Sequence, residues 1–301
     1  MPPSIVSIIN YKGGVGKTTL TANLGAELAA RGRRVLLIDL DPQASLTFSF
    51  FRVADWEREL AGGRTILHWF EPLALGGVAD PLRKYLVSPP QVNARVQGQL
   101  HLLASHLGLI EIDLELAAAL GGARFQSSSP RFLPVHRALA DALTDHAFSD
   151  YDAILIDCAP NFNMVTRTAI VASEHVLIPA RPDYLSTLGI DYLRGRLSML
   201  VEAYNEAAPT PINPEILGVV YTMIQYTGSG ILRAQRASME RMEKIEIPVF
   251  RQTIRENKTA FTDAGDRSLP AVLATDRNAA LETLQYELQQ LTSEFIAKTR
   301  T

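Results

Sequence analysis

Cysteine is all but missing from this chain of 301 residues: Cys158 stands alone. A single thiol excludes an internal disulfide framework, and it excludes a four-thiolate zinc or cluster site built by one chain. A reducing compartment is therefore expected. Net charge is also small, with 29 Lys and Arg against 32 Asp and Glu and an isoelectric point near 6.1. Nothing global attracts a polyanion, so any nucleic-acid surface must be local. No apolar run approaches the roughly 18 residues of a membrane span. Residues 1–4 carry no basic segment and no small-residue cleavage signal ahead of the first apolar strand. These absences lead to the expectation of a cytoplasmic protein without stable membrane insertion. Internal repeats are absent as well.

What is present is ordinary globular material, 47% hydrophobic and 20% charged, with ample side chains for a core. Ile5 to Asn10 is a β-branched run, followed by a glycine-rich turn and then by Thr18 to Arg31, with Leu20, Leu24 and Leu28 at helical spacing. Gly32 ends that helix, and Val35 to Asp39 follows as an almost wholly apolar strand closed by a carboxylate, as expected of a central parallel strand. Ala153 to Asp157 repeats the pattern after an expected helix from Val135 to Ala147, and Val176 to Pro179 comes next. Ile216 to Met223 reads as a strand between helices Leu185 to Asn205 and Ile231 to Lys244.

Strands alternating with helices predict an α/β fold, a doubly wound and mostly parallel sheet with helices on both faces. The expected organisation is one domain over 1–301 with an insertion of loops and short helices at about 51–133, where Gly62-Gly63, Gly76-Gly77, Pro89-Pro90 and Gly121-Gly122 break the pattern. A small subdomain there is the alternative. Leu100 to Ala104 is read as one further strand. Near the C-terminus, Leu281, Leu284, Leu288, Leu291 and Phe295 make one apolar helical face, flanked by Glu282, Glu287 and Glu294.

The strongest signal is Lys12-Gly13-Gly14-Val15-Gly16-Lys17-Thr18-Thr19, placed between the first strand and the first helix. Glycines let successive backbone N–H groups turn inward around phosphates at a helix N-terminus, Lys17 would meet the β- and γ-oxygens, and Thr18 would ligand Mg2+. The standard pattern asks for glycine where this chain has Tyr11, and this chain places Lys12 directly after it.

That departure resembles the deviant Walker A motif of the family that holds the ParA/Soj partition ATPases, the MinD septum-positioning proteins and the nitrogenase iron protein. The resemblance covers about residues 4–50 and 150–298 and implies the following roles. Lys12 would cross a face-to-face homodimer to the partner's nucleotide, which links ATP occupancy to dimerisation. Asp39-Leu40-Asp41-Pro42-Gln43 is similar to the family's D-x-D-P-Q segment, so Asp41 would be catalytic, acting on the attacking water, while Asp39 would support Mg2+ and its waters. Asp157 matches the Walker B carboxylate and would hold Mg2+ through water. Cys158 reads as a small buried neighbour. Thr222 and Met223, with Ile254 and Arg255, align with strand ends that contact adenine in relatives, although Arg255 stands where many members have proline.

Within that family, the single cysteine argues against the iron protein, and the acidic flanks of the last helix argue against a basic membrane-binding helix. The partition branch remains. ATP and Mg2+ are the implied cofactors. The implied partners are a second copy, non-specific DNA and a ParB-like centromere-binding or cargo-adaptor protein, with a nucleoid-associated location. Between Ile231 and Lys258 the residues Arg233, Arg236, Arg241, Lys244 and Lys258 are candidate DNA contacts, although such a surplus also fits a solvated helix face. The alternatives are a relative that positions a protein cargo, a MinD-like membrane-surface regulator, and a P-loop protein that uses nucleotide only structurally.

Overall fold

The computed structural model describes residues 2–122, 128–228, 230–242, 246–261, 268–276 and 278–301. Seven strands form one sheet in the order β3-β4-β2-β5-β1-β6-β7. They are β1 (Ser4–Ile8), β2 (Arg34–Asp39), β3 (Leu86–Val87), β4 (Gln99–Leu103), β5 (Ala153–Asp157), β6 (His175–Ala180) and β7 (Glu215–Tyr221). All neighbours are parallel except the short edge strand β3, which runs against β4. The fold is the doubly wound α/β sheet that the alternating pattern predicts.

Helices cover both faces, which is why the central strands are apolar on successive residues rather than on alternate ones. Val35 and Leu37 of β2 sit in one layer with α1 (Lys17–Ala30), α2 (Ser45–Phe48) and the C-terminal helix Ala279–Thr299. Leu36 and Ile38 sit in the other layer with α4 (Ile66–Ala74), α6 (Leu109–Ala119), α7 (Phe132–Leu143), α8 (Met164–Ala172) and α9 (Tyr184–Ala207). Helix α1 lies very close to the sheet: a Cβ on Gly25 would come within 2.7 Å of Leu37 Cδ2.

The segment from 51 to 133 contributes to both layers. Helix α3 (Val53–Glu59) and the short α5 (Pro90–Asn93) lie with β3 and β4 at the sheet edge. Val87, Val92 and Leu100 join the first layer, and Ile66, Phe70 and Leu109 join the second.

Several element boundaries differ from expectation. The helix expected from Val135 starts at Phe132 and stops at Leu143, and a separate 3-10 turn, His146–Phe148, follows because the Asp145 carboxylate accepts from Ala147 N at 2.9 Å. The helix expected from Ile231 begins instead at Arg233, as α10 (Arg233–Met242). Ile231 belongs to a two-residue hairpin, β8 (Tyr226–Thr227) with β9 (Gly230–Ile231). Lys244 lies outside the described residues. Among the described residues no helix is long and apolar enough to cross a membrane.

Candidate functional site

The loop from β1 to α1 opens at the carboxyl edge of the sheet, the end at which doubly wound folds bind ligands. Gly14 and Gly16 take φ values of +68° and +82°, left-handed conformations that glycine adopts without a Cβ penalty. Helix α1 starts at Lys17 with no side-chain cap and no acidic residue in its first turn. Its leading N–H groups and its positive dipole end are therefore available to an anion. Residues Lys12, Gly13, Gly14, Val15, Gly16, Lys17, Thr18 and Thr19 form this loop and first turn without a break.

Two braces hold the loop. Buried Asn10 donates from Nδ2 to Pro179 O at 2.7 Å and accepts Lys12 N at Oδ1 at 2.9 Å. Thr222, at the end of β7, donates from Oγ1 to Val15 O at 2.7 Å. The family resemblance places Thr222 at the base; its hydroxyl is committed to the loop, while the residue also lines the adjoining cavity. Asn10 was not singled out from sequence, although an asparagine ending an apolar strand just before a glycine loop is a usable signal.

Below the loop the charges are buried. Lys17 is 7% exposed and donates from Nζ to Lys12 O at 3.3 Å. Burial lowers its pKa from the ordinary lysine value, against the pull of Asp157 and Asp41. Thr18 Oγ1 donates to Asp157 Oδ2 at 2.7 Å, and Thr21 Oγ1 lies 3.4 Å from the other oxygen. Asp39 and Asp157 are register partners on β2 and β5, both fully buried. Desolvation raises both carboxyl pKa values, and the Asp157 charge adds to the rise at Asp39.

Oxygen donors of this kind, next to a phosphate loop, fit a hard divalent cation such as Mg2+. Among the described residues no three His, Cys, Asp or Glu side chains are grouped to hold a metal. A cation here would therefore keep waters and use phosphate oxygens. The burial that raises these carboxyls also pushes the Cys158 thiol far up, as expected of an inert neighbour.

Asp39 is tied into the protein. Its Oδ2 accepts both Thr47 N (2.8 Å) and Thr47 Oγ1 (2.7 Å), and its Oδ1 accepts Asp41 N (3.2 Å). Asp41 follows β2 in a turn closed by Ala44 N to Asp41 O at 2.9 Å, and its carboxylate accepts Gln43 N at 3.0 Å. The Asp41 side chain is half-buried, near enough to Lys17 to oppose the lowering of that lysine's pKa.

A cavity of about 520 Å³ adjoins the loop, lined by Gly16, Thr19, Thr222, Met223, Ile254, Arg255, Lys258 and Phe261 among others. Arg255 lines it, yet its guanidinium turns to the last helix: Nε donates to Glu287 Oε1 at 2.8 Å, and the backbone N–H of Arg255 meets Oε2 at 2.9 Å. Glu287 is buried, so Arg255 is here one half of an ion pair with the last helix.

Lys12 does not extend into solvent. Its Nζ donates to Asp183 Oδ2 at 2.5 Å, with both side chains about one-third exposed, and Asp183 also caps α9 through Ser186 N. Partial burial works against ionisation of Asp183, but the Lys12 and Ser186 bonds outweigh it and hold the carboxyl below its usual range. Beside it Tyr11 stacks on Phe162 and meets Tyr192 edge-on. Of the candidate DNA contacts, Arg233, Arg236 and Arg241 are exposed on α10, whereas Lys258 sits on the cavity rim, 3.5 Å from Glu256.

Comparison with known proteins agrees with this architecture. A family model described as an AAA domain, AAA_31, matches residues 3–208. The chromosome-partitioning ATPase Soj of Thermus thermophilus is 31% identical over 232 residues, which covers 76% of this chain and 72% of that protein. The sporulation initiation inhibitor protein Soj of Bacillus subtilis is 27% identical over 280 residues, covering 92% and 94%. A McdA variant from Cyanothece in complex with ATP superposes with a TM-score of 0.72 at 18% identity, over 97% of this chain and 96% of that one, a likeness of fold. The phosphate loop between β1 and α1, the paired strand-end carboxylates and these matches together place the chain in the AAA_31 family of P-loop proteins, among the ParA/Soj-type partition ATPases.

Proposed function

We propose that the chain is an ATP-driven partition switch, one domain over 1–301 with an edge insertion at about 51–133. In this reading it forms a homodimer when it holds ATP and Mg2+, binds DNA without sequence preference as that dimer, and lets go when a ParB-like partner stimulates hydrolysis. The observation that carries the proposal is the loop: Lys17 and the N-terminus of α1 form an anion cradle, with Asp157, Asp39 and Asp41 gathered beside it and Lys12 on its outer edge.

The roles divide by geometry. The loop amides and Lys17 bind the β- and γ-phosphates, and the 520 Å³ cavity takes the base, with Thr222, Met223, Ile254 and Arg255 around it. Thr18 and, through water, Asp157 would hold Mg2+, and Asp39 would support the ion and its waters. Magnesium, when bound, neutralises charge on the phosphate oxygens. Asp41, on a turn at the mouth of the site, orients the attacking water and accepts its proton.

Lys12 gives up Asp183 for the partner's phosphates. An ion pair one-third exposed is worth at most about 1 kcal/mol, so this exchange costs little. Arg233, Arg236 and Arg241 supply phosphate contacts that double when two copies pair.

Asp41→Ala tests the reading. The variant should bind ATP and Mg2+, lose hydrolysis and remain trapped as a dimer seen by light scattering. Hydrolysis at the normal rate would remove Asp41 from the chemistry.

A further inference from the structure

We propose that Ser105 is a positioning residue for Asp41, held in turn by Trp56, so that the edge segment at 51–133 sets the geometry of hydrolysis. The inference rests on the reading above in which Asp41 acts on the attacking water.

Ser105 stands just beyond β4, the strand beside β2, and is fully buried. Each of its polar atoms reaches a different element. Its N–H donates to Thr47 Oγ1 at 2.9 Å, its Oγ donates to Asp41 O at 2.6 Å, and its carbonyl accepts Trp56 Nε1 at 3.2 Å. The donor and acceptor roles close consistently. Thr47 Oγ1 gives its proton to Asp39 Oδ2 and so has a lone pair for the Ser105 N–H.

Asp41 needs such support because it lies past the end of β2, where no strand ladder restrains it. Its N–H is held by the Asp39 carboxylate and its carbonyl by Ala44 N and Ser105 Oγ. The Ala44 bond is internal to the turn, and Ala44 itself sits at a left-handed φ of +53°. The Ser105 bond is the one that fastens the carbonyl end of the Asp41 residue to the neighbouring strand. Behind it, the Trp56 ring from α3 lies edge-on to Phe48 and tilted against His106, with centroids 5.6 and 5.4 Å away. A carboxylate that orients a water must be placed to within about 0.5 Å, and buried hydrogen bonds from a supporting shell supply that precision.

The test is a double-mutant cycle on ATP turnover. Ser105→Ala should lower kcat by about five- to tenfold, a tenfold loss being about 1.4 kcal/mol, with KM and the affinity for a fluorescent ATP analogue unchanged. On the slow residual turnover of an Asp41→Asn background, read at raised enzyme concentration, the same substitution should produce no further loss, because the group it positions is already disabled. Trp56→Phe keeps the ring and loses the N–H; it should move kcat in the same direction by a smaller factor, and it carries the test if Ser105→Ala melts at assay temperature.

A kcat within twofold of wild type in both variants overturns the proposal. So does an equal loss with and without Asp41, which would make Ser105 a structural residue only. Turnover of Asp41→Asn at the wild-type rate would instead overturn the functional reading itself.

Discussion

His136 on α7 should make the folded chain acid-sensitive, by an amount the structure specifies. The ring is fully buried and lies tilted by 34° against Phe132, with centroids 4.2 Å apart. Its Nδ1 lies 2.8 Å from Phe132 O, an atom that can only accept, so Nδ1 carries the proton and Nε2 is left a buried acceptor without a partner among the described residues. Burial drives the pKa down to about 4; the bond to Phe132 resists this, and the nearby Arg167 charge adds to it. The ordinary value is 6.5, so as pH falls the unfolded chain takes up the proton first. The stabilising contribution is complete above about pH 6.5 and is lost as pH falls toward 4.

At pH 5.0 that shift costs about 2 kcal/mol, rising to a ceiling of about 3 kcal/mol below pH 4. Urea unfolding followed by circular dichroism at pH 7.5 and 5.0 measures it, with His136→Leu as the comparison. The Phe132 carbonyl keeps its helical bond in that variant, so the change removes the titration and not the backbone pairing. Wild type should lose about 2 kcal/mol more than the variant between the two pH values. Parallel losses would refute the assignment of a buried neutral imidazole.

Lys12→Ala should still bind ATP, because Lys17 and the loop amides remain, while losing ATP-dependent dimerisation and turnover together; size-exclusion chromatography and phosphate release give the two readouts. Thr222→Val removes the hydroxyl that holds Val15 O and leaves a buried carbonyl unpaired. At about 1 to 2 kcal/mol that should weaken ATP binding by roughly five- to thirtyfold by titration calorimetry, with Thr222→Ser close to wild type.

Much of the fold was legible in the sequence because its signals are local. The apolar runs ending in Asp39 and Asp157, and the glycine loop between a strand and a helix with leucines at four-residue spacing, fix βαβ units from within about 40 residues. Contacts that close the site were not legible, because strand order brings them together. Ser105 meets Asp41 across 64 positions, Lys12 meets Asp183 across 171, and Thr222 meets Val15 across 207. The hairpin of Tyr226–Thr227 and Gly230–Ile231 is too short for any periodicity, so Ile231 read as the start of α10. Arg255 was visible as a departure from proline, but its cause, a buried Glu287 on the last helix, was not.

Retention on immobilised duplex DNA tests the central claim, a switch set by nucleotide, most directly. Wild-type protein should stay on duplexes of unrelated sequence with ATP and Mg2+, leave with ADP or with rising salt, and lose affinity for all of them alike in an Arg233→Glu, Arg236→Glu variant that still dimerises. Equal retention with ATP and ADP, or none with ATP at low salt, would contradict it.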